Sequence, residues 1–156
     1  MPPPSQNPAL HLLVLPEPFF VVKLQPGQEI APCVLQDLTR GGEKGGGGFF
    51  SVTRTSEEVS VVGEAYRWMP KSYEEQSTWV CVKIRGPMEH SLTGVMASLT
   101  APLKAAKVPV FALSTWNTDY VLVPKEMLAD AVTTLERDGW VFAQGIKGKG
   151  NRVARL

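Results

Sequence analysis

An excess of charge of either sign is missing from this sequence: sixteen lysines and arginines face fifteen aspartates and glutamates, a net charge of +1 over 156 residues. So balanced a chain exerts no long-range pull on a polyanion, and neither nucleic acid nor an anionic membrane is an expected partner. Cysteine is scarce as well. Cys33 and Cys81 stand far apart, which excludes a disulfide framework or a CxxC pair, and both are expected to be reduced and packed as small hydrophobes. The two histidines, His11 and His90, have no further ligands at metal spacing, so no metal and no cofactor is expected. No apolar run approaches the roughly 18 residues of a membrane span. The start MPPPSQNPA lacks the basic and apolar regions of a signal peptide, and a soluble cytoplasmic protein is the expectation.

Enzyme signatures are absent too. No triad, nucleotide loop or pair of acids in a recognisable constellation stands out, and Ser, His and Asp in one half of a chain are no triad without geometry. The glycine-rich Gly41–Gly48 contains Lys44. A phosphate-binding P-loop needs Ser or Thr after that lysine at the mouth of a helix; here glycines and a strand follow, so a flexible loop is expected. His90, beside Ser91, is a candidate base or ligand gate, with a plain surface histidine as the alternative.

What the chain does have is 44% hydrophobic and 20% charged residues, the profile of a globular protein. Its length suits one domain, or two small units sharing a core. The Pro-rich residues 1–9 read as a disordered lead-in. Residues 145–156, carrying Lys147, Lys149, Arg152 and Arg155, read as a flexible basic tail.

Between them, Leu10 to Leu15 and Phe19 to Leu24 read as strands bent apart by Pro16-Glu17-Pro18. A helical segment is expected over Ala31 to Leu38. Phe49 to Thr55 and Val59 to Gly63 form a hairpin, and Trp68 to Tyr73 a linker. Then come a strand Thr78 to Ile84 and a helix capped by Ser91 with Leu92, Val95, Met96, Leu99, Leu103 and Ala106 at helical spacing. Pro102 either kinks that helix or sits in the first turn of a second one begun by Thr100. Strands Val108 to Leu113 and Asp119 to Val123, a helix Lys125 to Arg137 ended by Gly139, and a strand Trp140 to Ala143 complete a βαββαβ order. That is the ferredoxin-like split βαβ arrangement.

The stretch GVMASLTAPLKAAKVPVFALSTWNTDYVLVPKEML, Gly94 to Leu128, resembles the amino-acid-binding ACT domain. It is most similar to the branch that includes the cytosolic arginine sensors and short tandem-ACT proteins. GGFFSVTRTSEEVSVV, Gly47 to Val62, resembles the central hairpin of the degenerate first domain in that branch. The implied fold class is α+β: two ACT (ferredoxin-like βαββαβ) units, antiparallel sheets with helices on one face. The first, degenerate unit spans residues 10–70 and the second residues 76–144.

The resemblance also implies a ligand site at an interface between ACT units in a homodimer. Backbone groups at Thr93, Gly94 and Val95 would meet a carboxylate at the helix start, and Thr115 and Thr118 would add hydroxyls. Asp119 would pair with an ammonium, Trp116 would form a wall, and Val110 and Phe111 of the partner unit would close the pocket. Bland alternatives stand beside these: an Asx turn at Asp119, turn-satisfying hydroxyls at Ser114, Thr115 and Thr118, ordinary packing of Trp116, and close helix packing at Gly94. The arginine sensors place an acid beside the helix-starting glycine, where this chain has Leu92, with Glu89 farther back. A small or apolar amino acid is therefore expected ahead of arginine. The implied function is a non-enzymatic amino-acid sensor or regulatory module with a regulatory protein partner; the alternative is a ligand-free ACT scaffold for dimerisation or docking.

Overall fold

A computed structural model describes residues 6–39, 48–89 and 91–143. The chain divides into two compact units, one made of Glu17–Trp79 and the other of Met1–Pro16 with Val80–Leu156. The expected lead-in lies partly, and the basic tail, most of the glycine loop and His90 wholly, outside the described residues.

In the unit Glu17–Trp79, β2 (Phe19–Leu24) is followed by α1 (Pro32–Thr39), β3 (Phe50–Arg54), β4 (Val59–Glu64) and the one-turn α2 (Lys71–Glu74). β2 and β3 both pair antiparallel with β4, which lies between them. Alternation sends Phe20, Leu24, Val59 and Val61 to the side where they meet Val34 and Tyr73 in one buried cluster. Phe20 is the centre of its aromatic contacts, edge-on to Phe50 at 6.1 Å and to Tyr73 at 5.4 Å between ring centroids. Beside this cluster the Tyr66 hydroxyl donates to the Asp37 carboxylate at 2.7 Å. Burial first, and then that acidic partner, hold the Tyr66 phenol above its usual range.

Gly63 allows the strand to pass the cluster. A Cβ there would stand 2.9 Å from Phe20 Cζ and 2.9 Å from the Phe49 carbonyl oxygen. Backbone cannot step aside as a flexible side-chain end does, so Gly63→Ala is expected to cost about 1–3 kcal/mol by overpacking. Urea denaturation measures it; a loss near zero contradicts the tight approach.

The other unit holds β1 (Leu12–Val14), most of β5 (Trp79–Ile84), α3 (Val95–Ala105), β6 (Phe111–Ser114), β7 (Asp119–Pro124), a 3-10 turn at Lys125–Met127 and α4 (Leu128–Arg137). Its strands run in the order β1-β5-β7-β6. Leu12, Val82, Ile84, Val121 and Val123 face Val95, Leu99 and Leu103 of α3 and Ala131, Val132 and Leu135 of α4. Each unit thus carries a buried cluster of its own, where chain length alone suggested a shared one. No helix among the described residues is long and apolar enough to cross a membrane.

Several local expectations are corrected. β1 pairs antiparallel with β5, Leu12 opposite Ile84 and Val14 opposite Val82, so it fills the place expected for Trp140 to Ala143. That last segment contributes a single parallel bridge, Phe142 to Leu12. α3 starts at Val95 behind Gly94, not at Ser91. It continues through Pro102 as one helix, with the Thr100 hydroxyl donating to the Met96 carbonyl at 2.9 Å. Strand β6 begins three residues late because residues 108–110, with Pro109 lacking an N–H, do not join the ladder. Cys81 is buried as expected, whereas Cys33 is exposed.

The two units repeat one another. Phe19 and Trp79 open β2 and β5, Arg54 and Ser114 close β3 and β6, and Val59 and Asp119 open β4 and β7, each pair about 60 positions apart. The hairpin turns repeat as well. Thr55 N–H meets the Glu58 carbonyl at 2.9 Å, and Thr115 N–H meets the Thr118 carbonyl at 2.9 Å.

Candidate functional site

The β6–β7 hairpin closes on the pair Ser114 opposite Asp119. Residues directly opposite share a face, so both side chains lie on the side of Val121 and Val123, which is the face covered by α3 and α4. Asp119 is only 9% exposed. Its Oδ1 accepts the Ser114 hydroxyl at 2.5 Å. Among the described residues it is the one buried charged side chain, and no basic group there pairs with it.

Thr115 and Thr118 divide differently. The exposed Thr115 directs both its N–H and, at 3.3 Å, its hydroxyl to the Thr118 carbonyl, which satisfies the turn. Thr118 is 3% exposed and donates its hydroxyl to the Ile84 carbonyl at 2.7 Å, tying the hairpin to the end of β5. Thr118→Val keeps the shape but leaves that carbonyl without this donor, at an expected cost of about 1–3 kcal/mol. A chemical denaturation series should show Thr115→Val costing less than half as much; equal losses contradict the assignment.

Two residues that sequence reasoning passed over complete the support. Gly86, at φ +67°, lies so close to the hairpin that a Cβ would stand 3.0 Å from Thr118 Cβ. The Met88 N–H donates to the Asn117 carbonyl at 2.8 Å. The only sequence hint was the Gly-Pro at the end of β5, because the partners lie about 30 positions away.

At the helix start Gly94 is left-handed, φ +75°, and makes no side-chain cap. A Cβ there meets nothing within 4 Å, so the glycine is needed for its backbone angle and not for close packing. Thr93 and Gly94 are exposed, while the Val95 side chain is buried in the core. The backbone N–H groups that open an α-helix have no intrahelical acceptor. Val95 of α3 and Val121 of β7 belong to one buried cluster.

Trp116 is 81% exposed at the tip of the turn and Val110 is 38% exposed. Val110 lines a groove with Ala97, Thr100, Ala101 and Lys104 on the outside of α3. Four residues of extended chain, roughly 13 Å, separate it from Ser114. Within one chain, therefore, Val110 and Phe111 belong to a different stretch of surface from Asp119. Leu92 packs half-buried against the core and Glu89 is exposed. No group of three or more potential metal ligands occurs among the described residues.

Comparison with known proteins bears on this same segment. The family model described as ACT domain matches residues 74–137, which run from α2 to the end of α4. That segment is similar to an ACT domain. The matched segment holds the hairpin, the Gly94 helix start and Asp119. The bovine (Bos taurus) protein "Cytosolic arginine sensor for mTORC1 subunit 1" is 29% identical over 117 residues, covering 69% of this chain and 35% of its own length. The chain thus spans about a third of that relative. A crystal structure of a protein from Agobacterium tumefaciens aligns over 90% of this chain and 96% of its own, with TM-score 0.71 and 25% identity. Aspartokinase alpha and beta subunits share the fold, with TM-score 0.57 at 14% identity over 82% and 96% of the two chains.

Proposed function

We propose that this protein is a non-enzymatic regulatory module that binds a free amino acid at the rim between Asp119 and the Gly94 helix start. The observation that carries the reading is the buried Asp119, whose hydrogen-bond partner is a serine hydroxyl and which no cation pairs with among the described residues. Burying a charge costs free energy unless it is paired and hydrogen-bonded. An α-ammonium supplies the missing charge, while the N–H groups near Thr93, Gly94 and Val95 suit the α-carboxylate. Thr115 and Trp116 border the site from the turn, and Thr118 holds that turn in place.

Val110 and Phe111 reach this site only from another unit, so the complete site belongs to a homodimer, and occupancy is transmitted by favouring one packing of the units. Leu92 in place of an acid favours a small or apolar side chain over arginine. The sensor relatives carry "cytosolic" in their name, which supports a cytoplasmic location, with a regulatory protein as the downstream partner.

The test is a thermal-shift screen with the twenty amino acids. One present at 100 times its dissociation constant adds about 2.7 kcal/mol, and no turnover of it should occur. A flat response to all twenty sinks the reading. The exposed Trp116 and Val110 favour a second reading, a ligand-free ACT scaffold in which these residues only bury against another chain. That reading predicts unchanged dimerisation in Asp119→Asn and lost dimerisation in Trp116→Ala.

A further inference from the structure

The internal repeat places a different chemistry at the equivalent corner of the other unit. Where β6 and β7 meet as Ser114 opposite Asp119, β3 and β4 meet as Arg54 opposite Val59. A cation and an apolar side chain replace the hydroxyl and the acid.

This corner borders a groove of about 580 Å³ lined by Arg54, Val52 and Val59 of the hairpin, by Gln28 to Ile30 ahead of α1, and by Pro32, Leu35 and Gln36 of α1 itself. That volume lies within the range of small-molecule sites. The walls are apolar through Ile30, Leu35, Val52 and Val59, and Leu35 and Val52 are 42% and 40% exposed. One acid, Glu29, and one base, Arg54, line the same groove without forming an ion pair with each other. The turn Gln25–Gln28, in which the Gln28 side chain accepts the Gln25 N–H at 3.1 Å, fixes the backbone just before Glu29.

We propose that this groove is a second ligand site, for a small zwitterion with an apolar side chain. The Arg54 guanidinium takes the carboxylate, the geometry for which arginine is suited. The Glu29 carboxylate takes the ammonium, and the Ile30–Leu35–Val52–Val59 wall takes the side chain. A simple apolar patch needs neither charge, whereas a zwitterion needs both. The site uses no residue of the Asp119 corner, so it stands or falls independently of that reading.

The experiment is amide NMR of the full chain titrated with L-leucine, and then with 3-methylbutylamine and 4-methylpentanoate, which lack the carboxylate and the ammonium respectively. Leucine should shift amides in 28–36 and 52–59 saturably, with the same midpoint in Asp119→Asn. Arg54→Gln and each half-ligand should raise the midpoint at least tenfold. The Arg54 side chain is exposed, so the variant should keep the rest of the spectrum, which serves as the check on folding. Three results overturn the proposal: no shifts in these segments, shifts equal for leucine and both half-ligands, or shifts indifferent to Arg54→Gln. Leucine shifts confined to 93–119 likewise overturn it, while leaving the Asp119 site intact.

Discussion

Phe20→Ala is expected to destabilise the protein by about 3–5 kcal/mol, the range for deleting a buried phenylalanine. The ring is fully buried, meets Phe50 and Tyr73 edge-on, and rests on Gly63, where its Cζ occupies the space that a Cβ would need. Such aromatic contacts add to the area buried, and the neighbours that would have to collapse are held by the paired strands β2 and β4. A typical domain is stable by about 5–15 kcal/mol, so this one change removes a large part of the total. Phe20→Leu retains most of the volume and should cost less than half as much. Urea unfolding of the three proteins decides it, and a Phe20→Ala loss below about 1 kcal/mol contradicts the packing described here.

Asp119→Asn is expected to separate stability from binding. Asparagine still accepts the Ser114 hydroxyl, and without ligand it relieves a buried charge that no described cation balances, so the unliganded variant should be as stable as the parent or more so. Binding should suffer heavily. Removing one partner of a buried, hydrogen-bonded charge pair costs about 2–5 kcal/mol, which corresponds to a loss of roughly 30-fold or more in affinity for the amino acid. Calorimetric titration beside thermal unfolding reads both numbers. A variant that is destabilised yet binds normally would make Asp119 a turn residue and nothing more.

Local patterns carried much of the fold into view. The limits of β2 follow from the apolar run FFVVKL, and α4 from the spacing of Leu128, Ala131, Val132 and Leu135. What the sequence concealed was long-range or carried by backbone. β1 reads as the start of the first unit because it precedes β2, yet it pairs with β5 some 70 positions away. Ser91 looks like a side-chain cap and so suggests an earlier start for α3, whereas the helix is entered through a left-handed glycine without one. The period of about 60 residues is weak in side chains and strong in element limits, since TSEE and TWNT share only their turn-forming threonine.

The corner at Asp119 was partly legible in the same way. The density of small polar residues before β7 pointed to it, but the division of labour among them did not show. Thr118 is committed to a carbonyl 34 positions back and Thr115 to the turn itself, which is why the proposal gives the ligand's charge to Asp119. Arg54 and Glu29 escaped notice because they converge from segments 25 positions apart.

The central claim is most directly tested by a crystal structure of the protein grown with whichever amino acid gives the largest thermal shift. The account predicts its ammonium within about 3 Å of the Asp119 carboxyl oxygens and its carboxylate at the backbone N–H groups that open α3. A ligand bound elsewhere, with Asp119 contacting Ser114 alone, would contradict it.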